Sequence, residues 1–182
     1  MTINAPKKLI PAFDNLKSCL YDIIIMEGGR GGAKSEALSA LGVLESFIDD
    51  GVILCCREIQ KSIADSLYAT IVSTIYKYEL QSYFKIIQGE ITNNLTGARF
   101  IFAGLKSNIT SIKSINKLRV VLVDEAENVT DNSWSYLRPT PRYGQVRFYV
   151  VFNPRFEQDA TWQQFIVNKD NRTLHINISY KD

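Results

Sequence analysis

The texture of the chain changes abruptly after residue 26, and that change limits what it can fold into. The apolar run Ile23-Ile24-Ile25-Met26 gives way to Gly28-Gly29-Arg30-Gly31-Gly32-Ala33-Lys34-Ser35, followed by a helix-forming stretch. Buried strand, glycine-rich turn, lysine, hydroxyl, helix is the order of a phosphate-binding loop. Glycines let the backbone curl so that consecutive N–H groups point inward at phosphate oxygens. The start of the next helix adds the positive end of its dipole. Lys34 is expected to reach the β- and γ-phosphates, and the Ser35 hydroxyl to join a Mg²⁺ shell. The strict pattern has Gly before the lysine, where this chain has Ala33. A Cβ there is expected to be tolerated only at negative φ. Taken alone, the motif also reads as a plain glycine-rich turn between strand and helix.

A second motif narrows the choice. Arg119-Val120-Val121-Leu122-Val123-Asp124-Glu125 is an apolar run ending in two adjacent carboxylates. Such a run reads as a strand buried on both faces of a parallel sheet. Its C-terminal end lies where open α/β sheets bind ligands. Unpaired carboxylates there would cost several kcal/mol, on the order expected for buried charge, so a cation or hydrogen-bond donors must accompany them. Asp124 is the expected Mg²⁺ partner of Ser35, and Glu125 the expected activator of the attacking water.

Strands alternating with helices along the chain predict a three-layer α/β fold with a parallel sheet. Strands are expected at about 21–26, 52–56, 98–103, 147–152 and 173–179, beside the Asp124 strand, with a hairpin around Gly89 over 84–93. Helices are expected over 34–50, 59–79 and 160–167. Residues 1–20, with Pro6 and Pro11, read as a mixed lead-in. At 182 residues the chain is the length of one domain with a sizeable core. A net charge of only +2 means that any nucleic-acid contact must come from a local patch. Cys55 and Cys56 are neighbours that point to opposite faces of a strand, so with Cys19 they read as buried free thiols in a reducing cytoplasm. No apolar stretch approaches the ~18 residues of a membrane span, and no signal-peptide core is present, so a soluble cytoplasmic protein is expected.

Other residues leave two readings open. Arg30, inside the loop, would meet charge on the γ-phosphate as an arginine finger in cis, or would pair with Glu27. Asn153, ending the 147–152 strand, would sense the γ-phosphate or simply cap the turn before Pro154. Arg57 and Glu58 sit at the ligand edge, for coupling, DNA contact or a structural ion pair. Lys106, Lys113, Lys117 and Arg119 form a basic segment that suits DNA, a neighbouring subunit's site or plain solvation. Arg138 and Arg142 are further candidates for acting in trans. His175 is expected to be non-catalytic, and Trp134 and Trp162 to be core or staple residues.

With these residues in view, the chain resembles the ATPase domain of the large terminase subunit of tailed bacteriophages. The resemblance runs over nearly the whole chain: the Gly-Gly-Arg-Gly loop ending in Lys34-Ser35, Cys56-Arg57-Glu58 and Gln60 with Ser62-Ile63 and Asp65-Ser66, Gly104-Leu105-Lys106, Ile112-Lys113-Ser114, Val123 to Glu127, Ser133-Trp134, Thr140-Pro141-Arg142 and Phe152-Asn153-Pro154. It implies a RecA-like P-loop NTPase with a catalytic Glu next to the Mg²⁺-binding Asp, in one domain over 1–182. The implied reaction is ATP hydrolysis that drives double-stranded DNA into a viral procapsid. The implied partners are DNA, a portal protein, a small terminase subunit and further copies in a ring, with no membrane, in the cytoplasm of the infected bacterial host. By the same resemblance, catalysis falls to Glu125, Arg30 and Asn153, and Mg²⁺ to Ser35 and Asp124. ATP binding falls to Gly28, Gly29, Arg30, Gly31, Gly32, Ala33, Lys34 and Ser35, with Phe13 near the adenine. Family members continue past a segment like Tyr180-Lys181-Asp182 into a nuclease domain; no DNA cleavage is expected from this chain. The rival readings are a helicase- or recombinase-like DNA-dependent ATPase and a non-hydrolysing ATP-binding assembly module.

Overall fold

The computed structural model describes residues 5–31, 33–59, 64–139, 146–179 and 181. Short helix α1 (Ile10–Ser18) precedes β1 (Ile23–Glu27), α2 (Lys34–Glu45) and β2 (Val52–Arg57). A π-helical turn over Ala64–Tyr68 then opens α3 (Ala69–Lys77), and the hairpin strands β3 (Phe84–Ile87) and β4 (Glu90–Asn93) follow. Next come β5 (Arg99–Gly104), α4 (Ile109–Lys113), β6 (Leu118–Val123) and α5 (Asp131–Leu137). The described part closes with β7 (Arg147–Phe152), α6 (Ala160–Trp162), a π turn over Gln163–Val167 and β8 (Thr173–Asn177).

The strands join one sheet in the order β3-β4-β5-β2-β6-β7-β1-β8. From β5 to β8 all neighbours are parallel; the β3–β4 and β4–β5 pairs are antiparallel. The expected mostly parallel sheet is therefore found, with the hairpin at one edge. Every residue of β1, β2 and β7 is buried, as the unbroken apolar runs require of strands covered on both faces. Alternation divides these strands between two cores. Ile24, Met26, Cys55, Leu122 and Tyr149 meet Leu38 and Leu41 of α2 and Ile71 and Ile75 of α3. Ile23, Ile25, Cys56, Val121 and Val150 meet Trp134 and Leu137 of α5 and Phe165. Each fully buried Leu, Ile or Phe contributes roughly 1.5–3 kcal/mol, so these two faces hold the three layers together.

Several expectations are corrected. The lead-in contains a helix, α1, whose Asn15 amide donates to the Tyr21 carbonyl and accepts from the Tyr21 N–H, both at 2.9 Å. Helix α2 stops at Glu45, not near Asp50, because the hairpin side takes the Ser46 carbonyl. Asn93 Nδ2 and Thr96 Oγ1 donate to it at 3.2 and 2.7 Å. The long second helix is described only from Ala64, and Ile59 is exposed in a bend; the expected Ile63 contact lies outside the described residues. Helix α5 was not anticipated, although its signals stand in the sequence: Thr130 caps the Ser133 N–H, and Trp134 and Leu137 share the buried face. Cys55 and Cys56 are buried on opposite faces, whereas Cys19 is exposed.

Candidate functional site

Parallel register brings the C-terminal ends of five strands to one edge. Cys56 is level with Val123, Val123 with Val150, and Glu27 with both Phe152 and Asn177. Arg57 ends β2, and Asp124, Asn153 and Gly28 lie just past the ends of β6, β7 and β1. Because β7 lies between β6 and β1, Asn153 stands between the carboxylate pair and the glycine loop. These segments enclose a cavity of about 390 Å³ lined by Arg30, Lys34, Ser35, Arg57, Asp124, Glu125, Glu127 and Asn153.

The loop's glycines are used for different reasons. Gly28 has φ +142°, and a Cβ there would sit 1.9 Å from the Ile178 carbonyl oxygen. Gly31 has φ +80°. Gly29 has open space around it, and Gly32 lies outside the described residues. Ala33 overturns the negative-φ expectation: it sits at φ +55°, in the left-handed region, as the residue before α2. An L-residue there costs about 1–2 kcal/mol, a strain that the surrounding structure holds at the mouth of the loop.

Lys34 is buried and folds back on its own loop, with Nζ donating to the Gly28 and Gly29 carbonyls at 3.1 and 2.5 Å. Burial lowers its pKa, while the carboxylates of Glu127, Glu27 and Asp124 act in the opposite direction. Ser35 Oγ donates to Asp124 Oδ1 across 3.4 Å. This hydroxyl and carboxylate are hard oxygens of the kind Mg²⁺ prefers, with phosphates and water completing its shell. The residues therefore fit the metal implied by the loop. Asp124 Oδ2 accepts from Arg57 Nε at 3.1 Å and also from Arg57 Nη2. Arg57 Nη1 lies 3.4 Å from Glu125 Oε1. The ion pair expected as one reading of Arg57 at this edge is present. Glu58 accepts from Thr130 and Ser133 and so anchors the start of α5.

Glu125 has φ +50° and a carboxylate that is about half exposed toward the cavity. Asn153 donates its backbone N–H to Glu127 Oε2 at 3.3 Å, while its buried side-chain oxygen has no partner among the described residues. That oxygen therefore does not cap the turn before Pro154. Arg30 is exposed on the cavity wall, and its alternative partner Glu27 is engaged elsewhere. Glu27 Oε1 accepts from Asn177 Nδ2 at 2.6 Å and lies 3.1 Å from His175 Nε2. Phe13 does not reach the main cavity; it lines a small neighbouring cleft with Leu9, Ala37 and Tyr78 that shares Ala33 and Glu36 with it.

The basic candidates separate. Lys117 pairs with Asp50 and Arg119 with Asp49 at the opposite, N-terminal end of β6. Lys113 lies over Tyr136 and Arg138 over Phe165. Arg142 lies outside the described residues. Trp134 is fully buried; its Nε1 donates to Thr161 Oγ1, which donates to the Ala126 carbonyl and pins the turn behind Glu125. Sequence reasoning offered Glu27 only as a partner for Arg30 and Glu127 only as the end of the carboxylate motif, and gave neither a place beside Lys34 or Asn153. For Glu27 the signal existed: like Asp124, it is a carboxylate at the end of an apolar strand.

A family model for the phage terminase large subunit matches residues 21–182. No curated protein matches the sequence. Among solved structures, the large terminase of a thermophilic bacteriophage aligns with a TM-score of 0.84 at 13% identity, over 99% of this chain and 47% of that one. The same thermophilic phage protein in complex with ADP aligns at 0.83 and 12% identity, over 98% of this chain and 46% of that one. The N-terminal domain of the DNA packaging ATPase from bacteriophage phi29 aligns at 0.69 and 16% identity, over 93% of this chain and 96% of that one. The chain thus spans about half the length of the thermophilic phage terminase, and at these identities the likeness is one of fold.

Proposed function

Since the chain belongs to the phage terminase large subunit family, we propose that it hydrolyses ATP with Mg²⁺ to drive double-stranded DNA into a procapsid. The observation that carries this reading is the pairing of Ser35 with Asp124 across a cavity that Lys34 and the glycine loop also face. On nucleotide binding, Lys34 Nζ exchanges the Gly28 and Gly29 carbonyls for phosphate oxygens. The loop N–H groups and the start of α2 bind the same phosphates. Ser35 and Asp124 would hold Mg²⁺, which supplies neutralisation of the phosphate charge. Glu125 orients the attacking water and takes its proton on the carboxylate. Arg30 faces charge that develops on the γ-phosphate. Asn153 would donate its side-chain amide N–H to the γ-phosphate, or accept from the attacking water, and so distinguish the triphosphate state and pass the difference along the chain after β7. Phe13 and its cleft would take the adenine end.

The partners we propose are those the family resemblance implies: DNA, a portal, a small terminase subunit and further copies in a ring, in the cytoplasm of the infected host. The thermophilic phage terminase with ADP and the phi29 packaging ATPase support the nucleotide and motor parts of this reading. Lys106, Lys113 and Arg138 remain the described candidates for acting on a neighbour's nucleotide. The test is steady-state ATP turnover with Mg²⁺ across protein concentration, with and without double-stranded DNA. Turnover that rises with concentration or DNA and vanishes in Glu125→Gln supports the motor. ATP binding without turnover under every condition refutes it.

A further inference from the structure

Arg57 is the one cation that touches both carboxylates of the Asp124-Glu125 pair among the contacts described, and it does so in an ordered way. Its Nε and Nη2 both go to Asp124 Oδ2, leaving Oδ1 facing Ser35 Oγ at 3.4 Å. Its Nη1 lies 3.4 Å from Glu125 Oε1. The side chain is only 10% exposed, and Asp124 is 5% exposed, so this is a desolvated ion pair rather than a surface contact. The backbone beneath it is fixed on both sides. Leu105 N–H donates to the Arg57 carbonyl at 2.8 Å, and Asp124 N–H to the Cys56 carbonyl at 3.0 Å. A planar guanidinium can divide its donors between two carboxylates in this way, whereas an ammonium is a single point charge.

We propose that Arg57 is a positioning residue that makes metal binding conditional on nucleotide. It supplies the positive charge that the carboxylate pair needs in the empty site, so a free divalent cation gains little by entering. It occupies one oxygen of Asp124 and leaves the other aimed at Ser35. Metal binding therefore becomes favourable only when phosphate oxygens arrive to complete the shell and offset the resident cation. The same guanidinium holds Glu125 beside the cavity before the nucleotide enters. This inference rests on the reading of Ser35 and Asp124 as metal ligands.

The test uses nucleotide-free protein and Mn²⁺ alone, with the free aqua ion followed by electron paramagnetic resonance. Wild type is expected to bind Mn²⁺ weakly without nucleotide and much more tightly with ADP present. Arg57→Gln leaves the pair without its cation, and Mn²⁺ affinity without nucleotide is expected to rise at least about tenfold, since a unit charge a few ångström away is removed. Its melting temperature should also become dependent on Mg²⁺, whereas that of nucleotide-free wild type should not. A structural loss alone would not tighten metal binding. If Arg57→Gln does not fold, Arg57→Met, which keeps much of the stem but not the charge, decides by the same comparison, and Mn²⁺ should again bind more tightly than to wild type. Unchanged or weaker Mn²⁺ binding in the deciding variant overturns the role of Arg57 and leaves the metal site standing. Adding Asp124→Asn to that variant should abolish the gain. If the gain survives, the metal lies elsewhere, and both the inference and the assignment of Asp124 fall.

Discussion

Gly28→Ala and Gly29→Ala change adjacent residues by the same methyl group, yet the structure gives them opposite outcomes. At Gly28 the new Cβ would lie 1.9 Å from the Ile178 carbonyl oxygen and 2.9 Å from its carbon. Backbone has no rotamer to escape into, so β8 must move away from β1. The bond directly at risk is the one from Ile178 N–H to the Glu27 carbonyl, 2.9 Å long. A side chain at φ +142° adds about 1–3 kcal/mol of strain, and the lost hydrogen bond about 0.5–1.5 kcal/mol, for a total of roughly 1.5–4.5 kcal/mol. At Gly29 nothing lies within 4 Å of the new Cβ, and φ is not in the left-handed region. The cost there is expected to stay within about 0.5 kcal/mol, as for other unobstructed surface changes. Urea unfolding separates the two. With a slope of about 2 kcal/mol/M, the Gly28→Ala midpoint should fall by about 1–2 M and the Gly29→Ala midpoint by less than about 0.3 M. Nucleotide affinity should drop with Gly28→Ala as well, because the displaced strand carries Asn177 and His175, the partners of Glu27 at the base of the loop. Equal midpoints for the two variants would refute the steric argument.

The remaining expectations concern the site and its supports. Glu125→Gln should keep ATP affinity near that of wild type while turnover falls about 10²–10⁴-fold, measured by steady-state hydrolysis and nucleotide titration. Lys34→Ala should weaken ATP binding by roughly ten- to a hundredfold, the worth of charge-assisted bonds to phosphate; unchanged affinity in a calorimetric titration would show that the loop does not bind phosphate. Ala33→Gly should raise the unfolding midpoint, with a net gain of about 0.5–1 kcal/mol, because relief of left-handed strain exceeds the added backbone entropy of glycine. Thr161→Val keeps the shape but strands Trp134 Nε1 and the Ala126 carbonyl; a thermal melt should show a loss of about 2–4 kcal/mol, and Thr161→Ser should restore most of it.

Much of this molecule is written in short stretches of sequence. The 23–26 and 120–123 runs announce strands buried on both faces because only such strands can be apolar at every position. The glycine loop with Lys34-Ser35, and the carboxylates at 124–125, follow from the same local logic, since the end of a buried strand is where a polar residue must have a purpose. The basic segment around Lys117 and Arg119 shows the limit of that logic. Its residues look alike in sequence, but the sheet carries Lys117 and Arg119 to the far end, against Asp50 and Asp49.

By itself, then, the sequence determined the alternation of strands and helices, the phosphate loop and the acidic pair, because each depends on residues within a few positions of one another. Only the tertiary structure decided how they meet. Strand order inserted β7 between β6 and β1 and so put Asn153 between the carboxylates and the loop. Parallel register levelled Cys56 with Val123, which set Arg57 on Asp124 rather than in solvent. Close approach of β8 is what denies Gly28 a side chain, while Ala33 is held in a left-handed conformation that its own chemistry disfavours. Those outcomes depend on contacts between residues far apart in the chain, and a local pattern carries no information about which distant backbone will arrive beside it.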